Sequence, residues 1–301
     1  MPNLETVTLP ANLTGIPKDA FANSAQLKTV KFGTVDASTP GARKVTGDDN
    51  AITLPTGIAS IGNNAFAGTA ATTVDLSKVT GLTTIGENVF RGMANLAEVK
   101  LPAGITTINQ SAFQNDAKLV KLSTEEATAN GGGAQTREEN ADTTATFGSK
   151  LTSIGQNAFY GTGFTTVDLS KAGTATSAGG SSQTTLTVGS GAFTNMADLT
   201  TVKLPANADI NPTYFGNPTT ATEQKLTSIT YGTGTETATA TTGNDATISS
   251  PNFSKIKNST IEIKSSVGNS GINFTGGVFN GNDTMTTLKL SVTATNGNNP
   301  L

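Results

Sequence analysis

Apolar and polar positions alternate in short stretches along this chain, and the same stretch keeps returning. The clearest copy runs from Leu96 to Phe113, with Leu96, Val99, Leu101, Ile105, Ile108, Ala112 and Phe113 as its apolar positions. A second copy places Leu4, Val7, Leu9, Leu13, Ile16, Ala20 and Phe21 at the same offsets. The shared frame is L-x-x-V-x-L-P-x-x-[LI]-x-x-I-x-x-x-A-F. Side chains two apart share a face of a strand, so V-x-L predicts a short strand with Val99 and Leu101 pointing inward. Pro102 has no N–H to give and ends that strand. Ile105 and Ile108 bring the return side inward. Gly62, Gly86 and Gly155 follow the second Ile and suit a tight corner. The Ala-Phe pair fills the interior, a large residue beside a small one.

Ala-Phe recurs at Phe21, Phe66, Phe113, Phe159 and Phe193, with Val89-Phe90 as a variant. The steps are 24 residues from Phe66 to Phe90, 23 from Phe90 to Phe113, and 46, twice 23, from Phe113 to Phe159. One such coil cannot bury its own apolar edge. Stacked coils make a continuous core and a parallel strand ladder. Strand-like starts at Leu4, Leu27, Val74, Leu96, Leu119, Val167, Leu199, Leu226, Ile261 and Leu288 predict about nine full coils and a partial tenth. The whole chain, 1–301, is therefore one solenoid, with degenerate C-terminal coils over 207–301. Segments rich in Thr, Gly, Ala, Asn and Asp at 33–51, 123–146, 171–185 and 232–246 are expected to be insert loops leaving the same corner of the stack.

Composition then narrows the chemistry. The chain has no Cys and no His. That removes thiolate metal sites, cysteine nucleophiles and the Ser-His-Asp triad. Neither a metal nor a cofactor is expected, no residue is assigned a catalytic role, and the chain is read as not an enzyme. The net charge is −3 without a basic stripe, so the electrostatic signature of nucleic-acid binding is missing. No apolar run reaches the roughly 18 residues of a membrane-spanning helix, so membrane insertion is not expected. The acidic clusters Asp48-Asp49-Asn50, Glu125-Glu126 and Glu138-Glu139-Asn140-Ala141-Asp142 lack EF-hand spacing. Gly131-Gly132-Gly133 lacks the ending of a phosphate loop.

The frame resembles the BspA-like, or Treponema pallidum-type, leucine-rich repeat, whose text is close to L-x-x-V-x-L-P-x-x-[LV]-x-x-I-G-x-x-A-F. Ile58 to Phe66 and Leu151 to Phe159 carry its I-G-x-x-A-F ending. The resemblance is clearest over 4–206. It implies a mainly β, right-handed leucine-rich-repeat solenoid with short helical turns. It also implies a bacterial cell-surface protein, with members acting as adhesins. Where family repeats often carry a Cys after Ala-Phe, this chain has Asn23, Gly68, Gly92, Asn115, Gly161 and Asn195.

The expected activity is that of a non-enzymatic cell-surface binding module, adhesin-like, engaging a host matrix protein or glycan. The binding surface would be the strand-ladder face together with the insert loops. The outward position of the ladder strands is Thr8, Lys31, Asp75, Lys100, Asp168, Lys203, Thr230, Glu262 and Lys289 in successive coils. Thr8, Lys31, Asp75, Lys100, Asp168, Lys203 and Lys289 form the candidate binding face; the same column also fits a solvated ladder of charges. The alternative activity is that of a structural subunit of an extracellular filament, coat or appendage. Uncapped solenoid ends would then make self-association contacts. An extracellular location is expected, with any signal peptide removed.

Overall fold

In the computed structural model, the described residues are 1–35, 43–124, 143–173, 186–205, 210, 214–216, 225–231, 246–248, 260–265, 272–274 and 287–292. They form a parallel β-solenoid. Twelve strands run side by side in one ladder, in chain order: Thr6–Pro10, Thr29–Val35, Ala51–Thr53, Thr73–Asp75, Glu98–Leu101, Lys121–Thr124, Thr144–Thr146, Thr166–Asp168, Thr201–Leu204, Ser228–Tyr231, Thr260–Ser265 and Thr287–Val292. The valine column fixes the register, with Val74 opposite Val99 and Val167 opposite Val202. A one-residue slip would turn that buried column out to water.

Two ladder strands lie at segments that looked like insert loops. Ala51–Thr53 starts where the first insert ends, and Thr144–Thr146 lies inside the second. The strand Thr29–Val35 also runs on into the first insert and hairpins with Arg43–Thr46, Val35 opposite Arg43. These short segments lack the L-x-x-V-x-L text. Ala51-Ile52-Thr53 and Thr144-Ala145-Thr146 each bury one central side chain, Ile52 and Ala145, and that suffices to hold the register. The ladder is therefore longer than the nine to ten coils expected. Of the other two inserts, 171–185 and 232–246, all but 171–173 and 246 lie outside the described residues.

The return side holds two-residue strands rather than helical turns, and none of the described residues lies in an α-helix. Thr84–Ile85, Thr107–Ile108, Ser153–Ile154 and Thr187–Val188 form a second parallel sheet, and Gly15–Ile16 pairs with Ser60–Ile61. The third edge is a stack of phenylalanines. Phe21, Phe66, Phe90, Phe113, Phe159, Phe193 and Phe215 follow one another with ring centroids 5.2–5.8 Å apart. Phe147 and Phe164 meet Phe159 edge-on. Backbone bonds run beside the rings: Phe66 N–H donates to Val89 O, Phe90 N–H to Ala112 O and Phe113 N–H to Ala158 O.

The stack and the ladder do not advance together. Between Phe21 and Phe66 the chain lays down two ladder strands but only one step of the stack, and the same holds between Phe113 and Phe159. The step of 46 residues is therefore one step on the phenylalanine edge and two on the ladder edge. Glycine makes the close junctions on the return side. A Cβ on Gly62 would lie 2.3 Å from Lys18 N, and one on Gly155 would lie 2.5 Å from Gln110 N. These glycines are needed for the approach of the neighbouring coil's backbone rather than for an unusual φ.

The Ala-Phe turn needs two left-handed residues. Asp19, Asn64, Asn88, Ser111 and Asn157 precede Phe by two and have positive φ. Asn23, Gly68, Gly92, Asn115, Gly161 and Asn195 follow it by two and also have positive φ. Gly and Asn are the residues that tolerate this region most cheaply. The positions where family repeats often carry Cys thus hold the two residue types that favour the turn.

Candidate functional site

The outward ladder face is built from the positions between the buried ones. The register assembles the column Thr8, Lys31, Thr53, Asp75, Lys100, Ser123, Thr146, Asp168, Lys203 and Thr230. Six of the seven candidate residues, Thr8, Lys31, Asp75, Lys100, Asp168 and Lys203, share it. Lys289 does not. Thr230 lies opposite Lys264, and Lys289 lies opposite Glu262, which is opposite Ser228. Glu262 and Lys289 therefore belong to the neighbouring column, with Thr166, Thr201 and Ser228. The fading frame in this region put the sequence register off by two residues. Thr53 and Thr146 were missed because their strands lack the leucine frame, and Ser123 because, although it follows the readable start Leu119, it stands where the second insert was expected to begin.

Charges on this face are paired. Lys100 Nζ lies 3.7 Å from Asp75, Lys121 Nζ 3.3 Å from Glu98, and Lys203 Nζ 3.1 Å from Asp168. Lys31 reaches Asp49, at 2.8 Å, and holds that carboxyl below its ordinary value. Pairs this exposed contribute little stability, because water and salt screen them. Their consequence is a face with strong local dipoles and little net field.

Two of the acids also build turns. In the repeated text Val-Asp-Leu-Ser-Lys, Asp75 Oδ1 accepts from Ser77 N–H at 3.0 Å and from Ser77 Oγ–H at 2.7 Å. Asp168 does the same with Ser170, at 3.1 and 2.6 Å. The Asp thus closes the strand end where other coils use Leu-Pro. Burial acts to raise the Asp75 carboxyl, but the bonds from Ser77 and the Lys100 charge outweigh it, and the net shift is downward. The cluster Asp48-Asp49-Asn50 leads into a turn held differently. Asn50 has positive φ, and its N–H donates to Thr29 Oγ1 at 3.0 Å.

Threonine lines the ladder's entry. Thr200 Oγ1 donates to Thr165 O at 3.1 Å, Thr72 Oγ1 to Asn50 O at 3.1 Å, and Thr143 and Thr165 share a hydroxyl contact of 2.5 Å. One column inward, Thr144, Thr166, Thr201 and Ser228 stand in successive register. The result is a rigid, hydroxyl-lined surface beside a row of ion pairs. Among the described residues no group of three His, Cys, Asp or Glu could hold a metal ion. None of their helices is long and apolar enough to cross a membrane. The clusters Glu125-Glu126 and Glu138 to Asp142, with Gly131 to Gly133, lie outside the described residues.

One buried acid stands apart from this face. Asp116 is fully buried, and its Oδ1 accepts from Met93 N–H at 2.7 Å. Its other oxygen has no hydrogen-bond partner among the described residues. Burial pushes the carboxyl well above its ordinary value, against the backbone N–H groups of Met93 and Gly92.

Comparison with known proteins follows the repeat. A leucine-rich repeat protein from Bacteroides ovatus is similar at 16% identity and a TM-score of 0.41, over 95% of this chain and 61% of that one. This chain therefore spans less than two thirds of that protein's length. The pneumococcal vaccine antigen PcpA is similar at 15% identity and a TM-score of 0.45, over 96% of this chain and 68% of that one. A leucine-rich repeat protein of T. pallidum is similar at 21% identity and a TM-score of 0.37, over 62% of this chain and 74% of that one. Among curated proteins none matches the sequence significantly. The model of the BspA type leucine rich repeat region matches in six copies, over residues 1–39, 48–134 and 139–269. With the match covering most of its length, the chain belongs to the BspA-type leucine-rich-repeat family.

Proposed function

We propose that the chain is a non-enzymatic, adhesin-like binding module of the cell surface, engaging a host matrix protein or glycan through its ladder face and insert loops. One observation carries this: the outward columns are held in register by a fully buried core. Val74, Val99, Val167 and Val202, beneath the charged column, are all wholly inaccessible. A polar surface held that rigidly loses little conformational entropy on binding, which favours affinity. The test is binding of the whole chain to immobilised fibronectin, collagen and glycosaminoglycan, beside a variant carrying Lys100→Ala and Lys203→Ala. Binding that weakens in the variant supports the ladder face. No binding to any of these surfaces removes the support.

The structural-subunit reading has one observation of its own. Val7, Leu13, Ala20 and Phe21 of the first coil are only partly buried, whereas Ala65, Phe66 and Val74 of the coils behind it are wholly so. A subunit using that slab for assembly would form ordered larger species on concentration.

A further inference from the structure

The residue after each of the first six phenylalanines of the stack is at least partly exposed, on the turn edge away from the ladder. In successive coils it is Ala22, Ala67, Arg91, Gln114, Tyr160 and Thr194. The three long side chains are consecutive. Their coils are fixed by the ring contacts Phe90–Phe113 and Phe113–Phe159, at 5.3 and 5.2 Å, so Arg91, Gln114 and Tyr160 span roughly 10 Å, about two strand spacings. Arg91 is exposed, and Gln114 and Tyr160 are half-exposed. Gln110 and Gln156, both exposed, come from the same two coils as Gln114 and Tyr160. A side chain at Gly92, beside Arg91, would meet nothing within 4 Å, so the surface is open there.

We propose that this patch is a second binding site, for a saccharide that carries a carboxylate; the proposal rests on the reading of the chain as a binding module. Arg91 has no carboxylate partner among the described residues, unlike the ladder's Lys31, Lys100, Lys121 and Lys203, which are all paired. Its guanidinium fork is free to take a carboxylate two-handed. Tyr160 offers an aromatic face for a sugar ring, and the three glutamines offer donors and acceptors for ring hydroxyls. A protein partner fits less well. The patch's long side chains span only roughly 10 Å, small beside the roughly 800 Å² that each partner buries in a protein interface.

The test is titration of the whole chain with hyaluronan hexasaccharide and with 3′-sialyllactose, which separates uronic from sialic carboxylates. Carboxyl-methylated hyaluronan hexasaccharide is the uncharged control. The variants are Arg91→Ala and Tyr160→Thr, residue types the same column already holds at Ala67 and Thr194, with thermal midpoints confirming that both fold. The expected result is binding of one saccharide that falls at least tenfold in each variant, and tenfold on methylation. Unchanged affinity in both variants, or no binding of either saccharide to the wild type, overturns the proposal. Binding that instead falls only in the Lys100→Ala, Lys203→Ala variant overturns it too, and leaves the ladder face as the site.

Discussion

Phe113 and Phe159 stack face to face, centroids 5.2 Å apart and planes within 7°, although 46 residues separate them in sequence. Two ladder strands, Lys121–Thr124 and Thr144–Thr146, are laid down between them. The solenoid thus advances faster on its ladder face than on its phenylalanine edge, and the extra strands, Ala51–Thr53 and Thr144–Thr146, lie at the ends of low-complexity stretches of sequence.

Phe159 touches four rings, Phe113, Phe147, Phe164 and Phe193. Phe159→Ala is expected to destabilise by about 3–5 kcal/mol, the range for removing a fully buried aromatic. Phe21→Ala, at the half-buried end of the stack, should cost clearly less. Urea unfolding of both variants measures the difference. Equal costs would contradict a stack whose interior is tighter than its end.

Gly155→Ala should be among the most damaging small substitutions, because the added Cβ meets the backbone of Asn109 and Gln110. Neither neighbour can move without displacing a coil. Gly92→Ala meets no atom and suffers only from its φ of 71°, at a cost of about 1–2 kcal/mol. Thermal midpoints should fall further for Gly155→Ala. The reverse order would show that coil approach at Gly155 is loose.

Asp116 gives a pH signature. Its carboxyl is raised in the folded state, so its contribution is fully present below the ordinary carboxylate pKa and is lost as pH rises through the folded value. Asp116→Asn keeps an acceptor for Met93 N–H and cannot ionise. The variant should therefore gain on the wild type in urea unfolding as pH rises from the ordinary carboxylate pKa through the raised folded value. A stability difference that stays flat with pH would mean that the buried carboxyl does not titrate as its surroundings require.

Asp75, on the ladder face, acts oppositely. Asp75 is lowered, so its contribution is present at neutral pH and is lost as pH falls through the folded value. Asp75→Ala removes both Ser77 bonds and should cost about 1 kcal/mol or somewhat more. Lys100→Ala removes only a 3.7 Å surface pair and should stay within about 0.5 kcal/mol. Denaturant midpoints at pH 7 compare the two. A larger loss for Lys100→Ala would make the ion pair, and not the turn, the stabilising feature.

Much of this architecture was legible in the sequence because burial repeats. Val99, Leu101, Ile108 and Phe113 are wholly inaccessible, and each recurs at a fixed offset. What escaped the frame was held by other forces. Thr53 and Thr146 sit in three-residue strands whose hydrogen bonds come from their neighbours, with Ala51 and Ile52 buried in the first and only Ala145 in the second, so no periodic signal marks them. Lys289 fell in the wrong column because the last strands lengthen to six residues, Thr260–Ser265 and Thr287–Val292, and any of several alternations fits them. The turn-edge patch was unreadable for a different reason. Arg91, Gln114 and Tyr160 are variable positions of the repeat, and only the direct stacking of Phe113 on Phe159 brings the third beside the second.

The most direct test of a binding module against an assembly subunit is light-scattering mass after size exclusion, over a hundredfold range of concentration. The account predicts a constant mass near 30.5 kDa. A mass that climbs with concentration would contradict it and make the half-buried slab around Val7, Leu13 and Phe21 an assembly surface.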